Sequence, residues 1–285
     1  MTVLLEADGI TLRRGPRTVL QPVDLRVRAG RPHALLGPNG AGKTTTLNIL
    51  VGLLAPTTGR VLVDGIDVRE PVARSLIGFA PDDLPLPGAL TGREYLRLHD
   101  GLRRRDDRER ADALCTLLGI RDDLGRQIAE YSHGMRRKLQ FTAAVMHEPL
   151  VLVLDEPFRG LDPRAAAFVR RYLDGFVAAG HGLLVATHDL TRAERDSEWV
   201  WLIDQGAVVA EGSPAQLRAE SRAPDLEGAF AALTRSELEP EIEARLLAAA
   251  LPMSAPPAPA PSAPAPSAPE GGAASLHPPT ESEHP

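Results

Sequence analysis

The sequence predicts an α/β fold with a parallel-sheet core, an N-terminal antiparallel β-subdomain and a helical subdomain. A glycine-rich loop at residues 37–44 follows an apolar segment and precedes a segment with helical spacing. Continuous apolar runs at 150–154 and 183–186 are typical of parallel strands that are buried on both faces. Alternating apolar and charged residues at 23–28 are typical of a half-buried antiparallel strand.

The glycine-rich loop fits the pattern G-x-x-x-x-G-K-[ST], which is the phosphate-binding loop of a P-loop NTPase core. Its glycines let backbone N–H groups turn toward phosphate oxygens without Cβ clashes, and the following helix directs its positive dipole end to the same place. Lys43 is expected to reach the β- and γ-phosphates of ATP, and the Thr44 hydroxyl is expected to ligate Mg²⁺. The candidate nucleotide-binding residues of this loop are Gly37, Pro38, Asn39, Gly40, Ala41, Gly42, Lys43, Thr44 and Thr45.

The N-terminal region contains the predicted β-subdomain. Residues 3–31 are expected to form short strands, because apolar runs there are separated by turn residues. A further strand is expected at 60–65. Residues 33–36 are predicted to form the strand that enters the P-loop, and residues 43–53 the helix that leaves it.

A helical subdomain is predicted at about residues 91–148, which are expected to be wholly helical. Thr91 and Glu94 have the spacing of a capping box, which begins a helix. Cys115 lies in a helical pattern and is predicted to be a small core residue. The apolar stripe of this subdomain is assigned to Leu96, Leu98, Leu114, Leu117 and Leu118.

The second segment with candidate catalytic residues is the apolar run 151–154, which is followed by Asp155 and Glu156. A buried strand that ends in a carboxylate has the Walker B arrangement of P-loop NTPases. Asp155 is therefore expected to hold Mg²⁺ through water. Glu156 is expected to take a proton from an attacking water molecule.

The chain is predicted to contain one domain over residues 1–234, a short helical extension over 235–251 and a disordered tail over 252–285. A hairpin at 200–211 is expected to close the domain. The tail is rich in Pro, Ala and Ser, so it cannot bury enough apolar surface to offset the entropy lost on ordering.

Composition narrows the possible functions. The net charge of −6 argues against a nucleic-acid-binding surface. Cys115 is the single cysteine, which fits a reducing compartment and excludes an intrachain disulfide. Residues 1–6 have no basic segment typical of a signal peptide, and no apolar run approaches the ~18–20 residues that span a bilayer. Membrane attachment is therefore expected only through a partner.

Three further motifs resemble those of ABC ATPases. Residues 131–135, Tyr-Ser-His-Gly-Met, are similar to the family's Leu-Ser-Gly-Gly-Gln signature. Residues 160–162 resemble its D-loop, and His188 resembles its switch histidine. Residues 3–234 as a whole resemble an ABC transporter nucleotide-binding subunit, and the ending at 225–234 resembles the drug- and polysaccharide-exporting branch.

The resemblance implies a head-to-tail pair of such domains, as a homodimer or a heterodimer, with each ATP between the P-loop of one subunit and the signature of the other. Ser132, Gly134 and Asp162 would then contact nucleotide across the dimer. Glu156 and His188 would be catalytic. The resemblance further implies an integral-membrane permease partner in an exporter, and a location in the cytoplasm on the inner face of the cell membrane.

Two positions depart from the family pattern. Asp82 stands where the family has its Q-loop glutamine, so it is a candidate catalytic residue and Mg²⁺ ligand that cannot donate a hydrogen bond when ionised. Arg14 stands where an adenine-stacking aromatic residue is expected. A guanidinium plane can stack on a base, but Arg14 can equally be a solvated residue at a strand end, and both alternatives remain open.

Two other functions compete with transport. The first is an ABC-type ATPase that acts on the ribosome or on DNA; the single signature, the lack of a heptad run and the negative charge argue against it. The second is a regulatory subunit that does not hydrolyse ATP, against which Lys43, Asp155, Glu156 and His188 argue. If the partner is a permease, the apolar loop at 81–90 and the helix that begins at Thr91 are the expected docking surface, with Leu84 and Leu86 in the contact. The alternative is that these leucines anchor the loop to the helical subdomain, and this is the expectation for Leu90.

Overall fold

The computed structural model describes residues 2–82 and 85–234, and within these residues it contains two β-sheets and nine α-helices. The expectations for residues 235–251, for residues 252–285 and for Leu84 lie outside the described residues. The strands are β1 (Val3–Arg14), β2 (Arg17–Arg28), β3 (Pro32–Leu36), β4 (Thr58–Val63), β5 (Ile66–Asp67), β6 (Ile77–Ala80), β7 (Val151–Asp155), β8 (Gly182–Thr187), β9 (Trp199–Asp204) and β10 (Ala207–Gly212). The helices are α1 (Lys43–Leu50), α2 (Pro71–Ser75), α3 (Gly92–Arg103), α4 (Arg108–Leu117), α5 (His133–Val145), α6 (Pro163–Ala178), α7 (Leu190–Asp196), α8 (Pro214–Ser221) and α9 (Leu226–Leu233).

The N-terminal strands form an antiparallel sheet in the order β2-β1-β4-β5. The sequence predicts several short strands over residues 3–31, but β1 and β2 each extend over 12 residues. The two strands stay paired through several register shifts, and these irregularities produced the apparent breaks in the alternating pattern.

The second sheet has the order β10-β9-β3-β8-β7-β6, in which β3 and its neighbours are parallel and only β10 is antiparallel. Every residue of β7 is buried, as its continuous apolar run predicts. The carboxyl ends of β3, β6, β7 and β8 lie at one edge of the sheet, because parallel strands end on the same side. The loops after these four strands are therefore close in space.

The two sheets share one hydrophobic core. Buried side chains of β1 and β2 pack with those of β3, β7 and α1 in a single cluster. At the start of β3, the buried His33 ring stacks on Trp201 of β9 with 5.4 Å between the ring centroids. Among the described residues, no helix is both long enough and apolar enough to cross a membrane.

Residues 91–148 contain three α-helices and two 3₁₀ turns rather than one wholly helical segment. The helix α3 ends where Arg104 takes a left-handed conformation with φ 54°, and the capping box of Thr91 and Glu94 forms at its start as predicted. Leu96, Leu114 and Leu118 are buried, but Leu98 and Leu117 are 46% and 54% exposed, so the predicted stripe is wrong at these two positions. Cys115 is fully buried.

Candidate functional site

The loop between β3 and α1 is held in a turn that only glycine tolerates well. Gly40 and Gly42 have φ values of 84° and 108°, in the left-handed region, and Gly42 caps α1. At position 37 glycine is required for a steric reason instead, because a Cβ there would come within 2.2 Å of the Ile203 carbonyl oxygen. The loop can therefore direct several backbone N–H groups and the start of α1 toward an anion.

Lys43 lies at the base of this loop, with only 8% of its surface exposed. Its Nζ donates hydrogen bonds to the carbonyl oxygens of Gly37, at 2.7 Å, and of Pro38, at 3.1 Å. Burial lowers the pKa of Lys43, while the nearby Glu156 and Asp155 carboxylates act in the opposite direction. The ammonium group is thus held beside the loop, within reach of a phosphate bound there.

Thr44 and Asp155 form the polar contact beneath the loop. The Thr44 hydroxyl donates to Asp155 Oδ2 at 2.9 Å, and Asp155 is buried, which raises its pKa. A hydroxyl and a carboxylate oxygen are the hard oxygen ligands that Mg²⁺ prefers, and Mg²⁺ keeps several of its waters. Thr44 and Asp155 therefore fit a Mg²⁺ site that is completed by water and substrate.

Glu156 follows β7 in a left-handed conformation with φ 48°, which is strained for a residue with a side chain. Its Oε2 accepts from the Thr187 hydroxyl at 2.9 Å, and its Oε1 accepts from the His188 backbone N–H at 2.9 Å and from His188 Nδ1 at 2.5 Å. An ionised carboxylate only accepts hydrogen bonds, so His188 Nδ1 is the donor in this contact when Glu156 is ionised. The strained backbone thus directs the carboxylate to the end of β8, where three donors hold it.

Asp82 follows β6 at the same edge of the sheet, and both of its oxygens are paired with arginines. Oδ1 accepts from Arg137 at 3.0 Å, and Oδ2 accepts from Arg159 at 2.7 Å. The Arg137 side chain is 5% exposed and that of Arg159 is 64% exposed. The role of Asp82 as a metal ligand stays a prediction, now for a carboxylate that already has two cationic partners.

A cavity of about 380 Å³ brings most of the predicted site residues together. Val19 and Arg159 also line the cavity, and no sequence motif marks either residue. Arg14 is exposed at the end of β1, opposite Arg17, and it is not part of this lining. The predicted residues that line the cavity are Asn39, Gly40, Gly42, Lys43, Thr44, Thr45, Asp82, Asp155, Glu156 and His188.

The signature-like residues lie away from this cavity, around the start of α5. Ser132 is exposed, and its hydroxyl caps α5 by accepting from the Met135 N–H at 3.2 Å. Asp162 caps α6 by accepting from the Ala165 N–H at 2.8 Å, and it pairs with Lys138 of α5 at 2.6 Å. Neither Ser132 nor Gly134 nor Asp162 lines the cavity that Lys43 and Glu156 share.

The phosphate-binding loop, the buried Asp155 and the parallel sheet whose carboxyl edge carries them define a P-loop NTPase. The sequence profile of the ABC transporter family matches residues 20–159. The daunorubicin resistance ATP-binding protein DrrA3 of Streptomyces coeruleorubidus is 38% identical in an alignment of length 262 that covers 86% of this chain and 82% of that protein. The Nod factor export ATP-binding protein I of Cupriavidus metallidurans is 36% identical in an alignment of length 222 that covers 76% of this chain and 73% of that protein.

A solved structure of an ATP-binding subunit of an ABC transporter is also similar, with a TM-score of 0.77 and 30% identity over 81% of this chain and 99% of that one. The chain belongs to the ATP-binding subunits of ABC transporters. These relatives confirm the predicted ABC ATPase fold and an ATPase activity that drives transport. They do not favour the alternative function on ribosomes or DNA.

Proposed function

We propose that this chain hydrolyses Mg²⁺-ATP at the P-loop and Glu156, and that it powers an exporter as one of two ATP-binding subunits on a membrane permease. The observation that carries the proposal is the position of Glu156. Its carboxylate is held by Thr187 and His188 in the same cavity as Lys43. A base held beside a phosphate site is what hydrolysis by water requires.

The proposed mechanism depends on positioning and charge. Backbone N–H groups of the loop and Lys43 hold the phosphates of ATP. Thr44 and Asp155 would hold Mg²⁺, which would supply positive charge to the phosphate oxygens. Glu156 accepts a proton from the attacking water, and His188 Nδ1–H keeps the accepting carboxylate in place.

The dimer is proposed because the signature residues do not reach their own cavity. Ser132 and Gly134 begin the 13-residue helix α5, whose N-terminus favours an anion. These residues become nucleotide ligands when a second subunit, identical or homologous, presents its P-loop to them. Asp162 lies beside them, since it pairs with Lys138 of the same helix.

A groove of about 270 Å³ between the sheet and α3 is proposed as the permease-docking surface. Leu53 is 65% exposed and lines the groove together with Phe79 and Tyr95. Leu86 and Leu90 of the predicted docking loop are half-buried against the helical cluster, so they contribute to the fold of that loop. Attachment through this groove would place the chain on the cytoplasmic face of the cell membrane.

Export is proposed as the direction of transport, since the relatives are named for drug resistance and for Nod factor export. The transported substrate would be selected by the permease, because the described residues of this chain contain no membrane-spanning helix.

The mechanism is tested by Glu156→Gln. We expect this variant to bind ATP with the wild-type Kd and to lose turnover by at least about 100-fold, because an amide cannot accept the proton from water. Lys43→Ala should instead weaken ATP binding itself. Glu130→Gln, which changes an exposed carboxylate at 53% side-chain exposure, is the control and should keep the wild-type rate. Wild-type hydrolysis by Glu156→Gln would exclude Glu156 as the base.

The docking surface is tested by Leu53→Glu. The new charge should prevent co-purification with the permease, while ATP binding by the isolated subunit is unchanged because Leu53 is exposed. Leu117→Glu is the matched control, since Leu117 is 54% exposed on α4 and does not line the groove. Equal recovery of the permease with both variants would refute this surface.

A further inference from the structure

Arg137 of α5 is buried, and its hydrogen bonds to described residues reach two chain segments at the ATP site. Its Nη1 donates to the carbonyl oxygens of Pro81, at 2.6 Å, and Asp82, at 2.9 Å. Its Nη2 donates to Asp82 Oδ1 at 3.0 Å, to the Asp155 carbonyl at 3.1 Å and to the Glu156 carbonyl. One guanidinium group thus contacts the segment that follows β6 and the carboxyl end of β7.

These contacts are costly to break. A charged group away from water is stable only when its N–H groups are bonded, and removal of a buried ion-pair partner costs far more than removal of an exposed one. Arg137 is 5% exposed, whereas Arg159, the second partner of Asp82, is 64% exposed. Arg137 is therefore the stronger of the two constraints on Asp82.

The backbone at Glu156 is strained and requires hydrogen bonds that hold it in place. Glu156 has φ 48°, a conformation that persists only when its surroundings enforce it. The Glu156 N–H donates to the Ala186 carbonyl at 2.9 Å, and the Glu156 carbonyl accepts from Arg137. The peptide groups on both sides of this residue are thus fixed by neighbouring elements.

We propose that Arg137 is a positioning residue for hydrolysis, which fixes the backbone of Asp155 and Glu156 and the carboxylate of Asp82, and which links them to the helix α5 that Ser132 caps. The proposal rests on the proposed role of Glu156 as the base. It goes beyond that role by naming the group that sets the base's geometry. It also gives α5 a second role, because a displacement at the Ser132 end of α5 would move Arg137 and therefore Glu156.

Lysine cannot replace this arginine in the structure. The five acceptors lie on two segments, and the planar guanidinium serves them with donors on two nitrogen atoms, whereas an ammonium group presents a single nitrogen. Arg137→Lys keeps the charge and loses the geometry, so it separates electrostatic stabilisation from positioning.

The test compares Arg137→Met, Arg137→Lys and Arg136→Met in the full-length chain. Arg136 is the matched control, because it precedes Arg137 on α5, is exposed, and also donates to backbone carbonyls, those of Ile128 and Ala129. The measurements are kcat and KM for ATP, the Kd for ATP by calorimetry, and Tm.

We expect Arg137→Met to lower kcat by about 10- to 100-fold, with the Kd for ATP changed less than about threefold, because small displacements of a catalytic group have effects of this size. Arg137→Lys should recover Tm more than kcat, and Arg136→Met should keep the wild-type kcat. If Arg137→Met does not fold, Arg137→Lys decides the question, and a wild-type kcat in that variant overturns the proposal.

A double-mutant cycle with Asp82→Asn provides a second measurement. If Arg137 acts partly through Asp82, the two substitutions together should cost less in kcat than the product of their separate effects. Additive effects would limit Arg137 to the backbone contacts, and additive effects with an unchanged kcat in Arg137→Lys would overturn the proposal altogether. Failure of the proposed function is distinguishable, because then Glu156→Gln would hydrolyse ATP as the wild type does.

Discussion

At the scale of single residues, the position of Asp82 between two arginines changes how its departure from the family pattern is understood. A free aspartate beside the phosphates would add repulsive charge, but here Arg137 and Arg159 offset that charge. Asp82, which stands where the family has glutamine, is therefore held in place by the side chains of Arg137 and Arg159.

The predicted metal role of Asp82 is testable with Asp82→Gln. If the carboxylate contributes to Mg²⁺ binding, the neutral amide should raise the Mg²⁺ concentration needed for half-maximal ATPase activity, because Mg²⁺ binds carboxylate oxygens strongly. Asp106→Asn is the control, since this carboxylate pairs with Arg108 on an exposed surface. Superimposable Mg²⁺ titrations for the wild type and Asp82→Gln would place Asp82 outside the metal site.

Residues of the site differ in how far the sequence predicts them. Lys43 and Thr44 follow from a local motif, whose spacing encodes the backbone path of one loop. Val19 and Arg137 come from segments far from that loop, and nothing in their local sequence marks them. Arg137 acquires its contacts only when α5 packs beside the ends of β6 and β7, so tertiary structure alone identifies it.

At the scale of elements, β6 shows how a glycine determines packing. Gly78 lies in β6, and a Cβ at this position would come within 2.2 Å of the Ala144 carbonyl oxygen in α5. The glycine therefore allows the strand that leads to Asp82 to lie close against the helix that carries Arg137. A Cβ added at Gly101 of α3 would meet no atom within 4 Å, so packing does not require glycine at this position.

Alanine at these two glycines should have opposite effects on stability. Gly78→Ala should lower the free energy of unfolding by at least about 2 kcal/mol, because backbone must move to relieve the clash. Gly101→Ala should raise the free energy of unfolding by about 0.5 kcal/mol, because alanine is the better helix former. Urea denaturation of both variants is the measurement, and a stable Gly78→Ala would contradict the close approach of β6 and α5.

The helical elements also show why periodicity misplaced two leucines. Leu98 follows the buried Leu96 by two residues on the same helix α3, and residues two apart on a helix do not share a face. Leu117 has the correct spacing from Leu114, but it is the last residue of α4, where the helix ends. Periodicity therefore failed at Leu98 because of its spacing and at Leu117 because of the helix end.

At the scale of the whole molecule, the parallel sheet could be predicted as a class but its strand order could not. Continuous apolar runs indicate buried strands, yet β3 lies between β8 and β9, which are distant in the sequence. This order brings Glu156 and His188 to the loop that contains Lys43. The site is thus a property of the assembled sheet.

Two buried histidines make the stability of the whole domain depend on pH. Burial lowers the pKa of His33 to about 4 and that of His147 to about 4, from an ordinary value of 6.5. Between pH 4 and pH 6.5 the unfolded chain binds more protons than the folded chain. The free energy of unfolding therefore falls as the pH falls from 6.5 toward 4. Each histidine should contribute up to about 2 kcal/mol of this loss between pH 7 and pH 5.

The measurement is urea denaturation at pH 7 and at pH 5, followed by circular dichroism. His33→Gln and His147→Gln should each reduce the difference between the two pH values, whatever their effect at pH 7, because glutamine does not titrate. A difference that stays at the wild-type value in both variants would show that other groups cause the pH dependence.

The stacking of His33 on Trp201 has a practical consequence for experiments on this protein. The two tryptophans of the chain, Trp199 and Trp201, are both on β9, in register with His33 and Leu35 of β3. Both lie on the strand beside the one that enters the P-loop, so intrinsic fluorescence senses whether β3 and β9 are paired. It is suited to following the unfolding of the sheet that carries the loop.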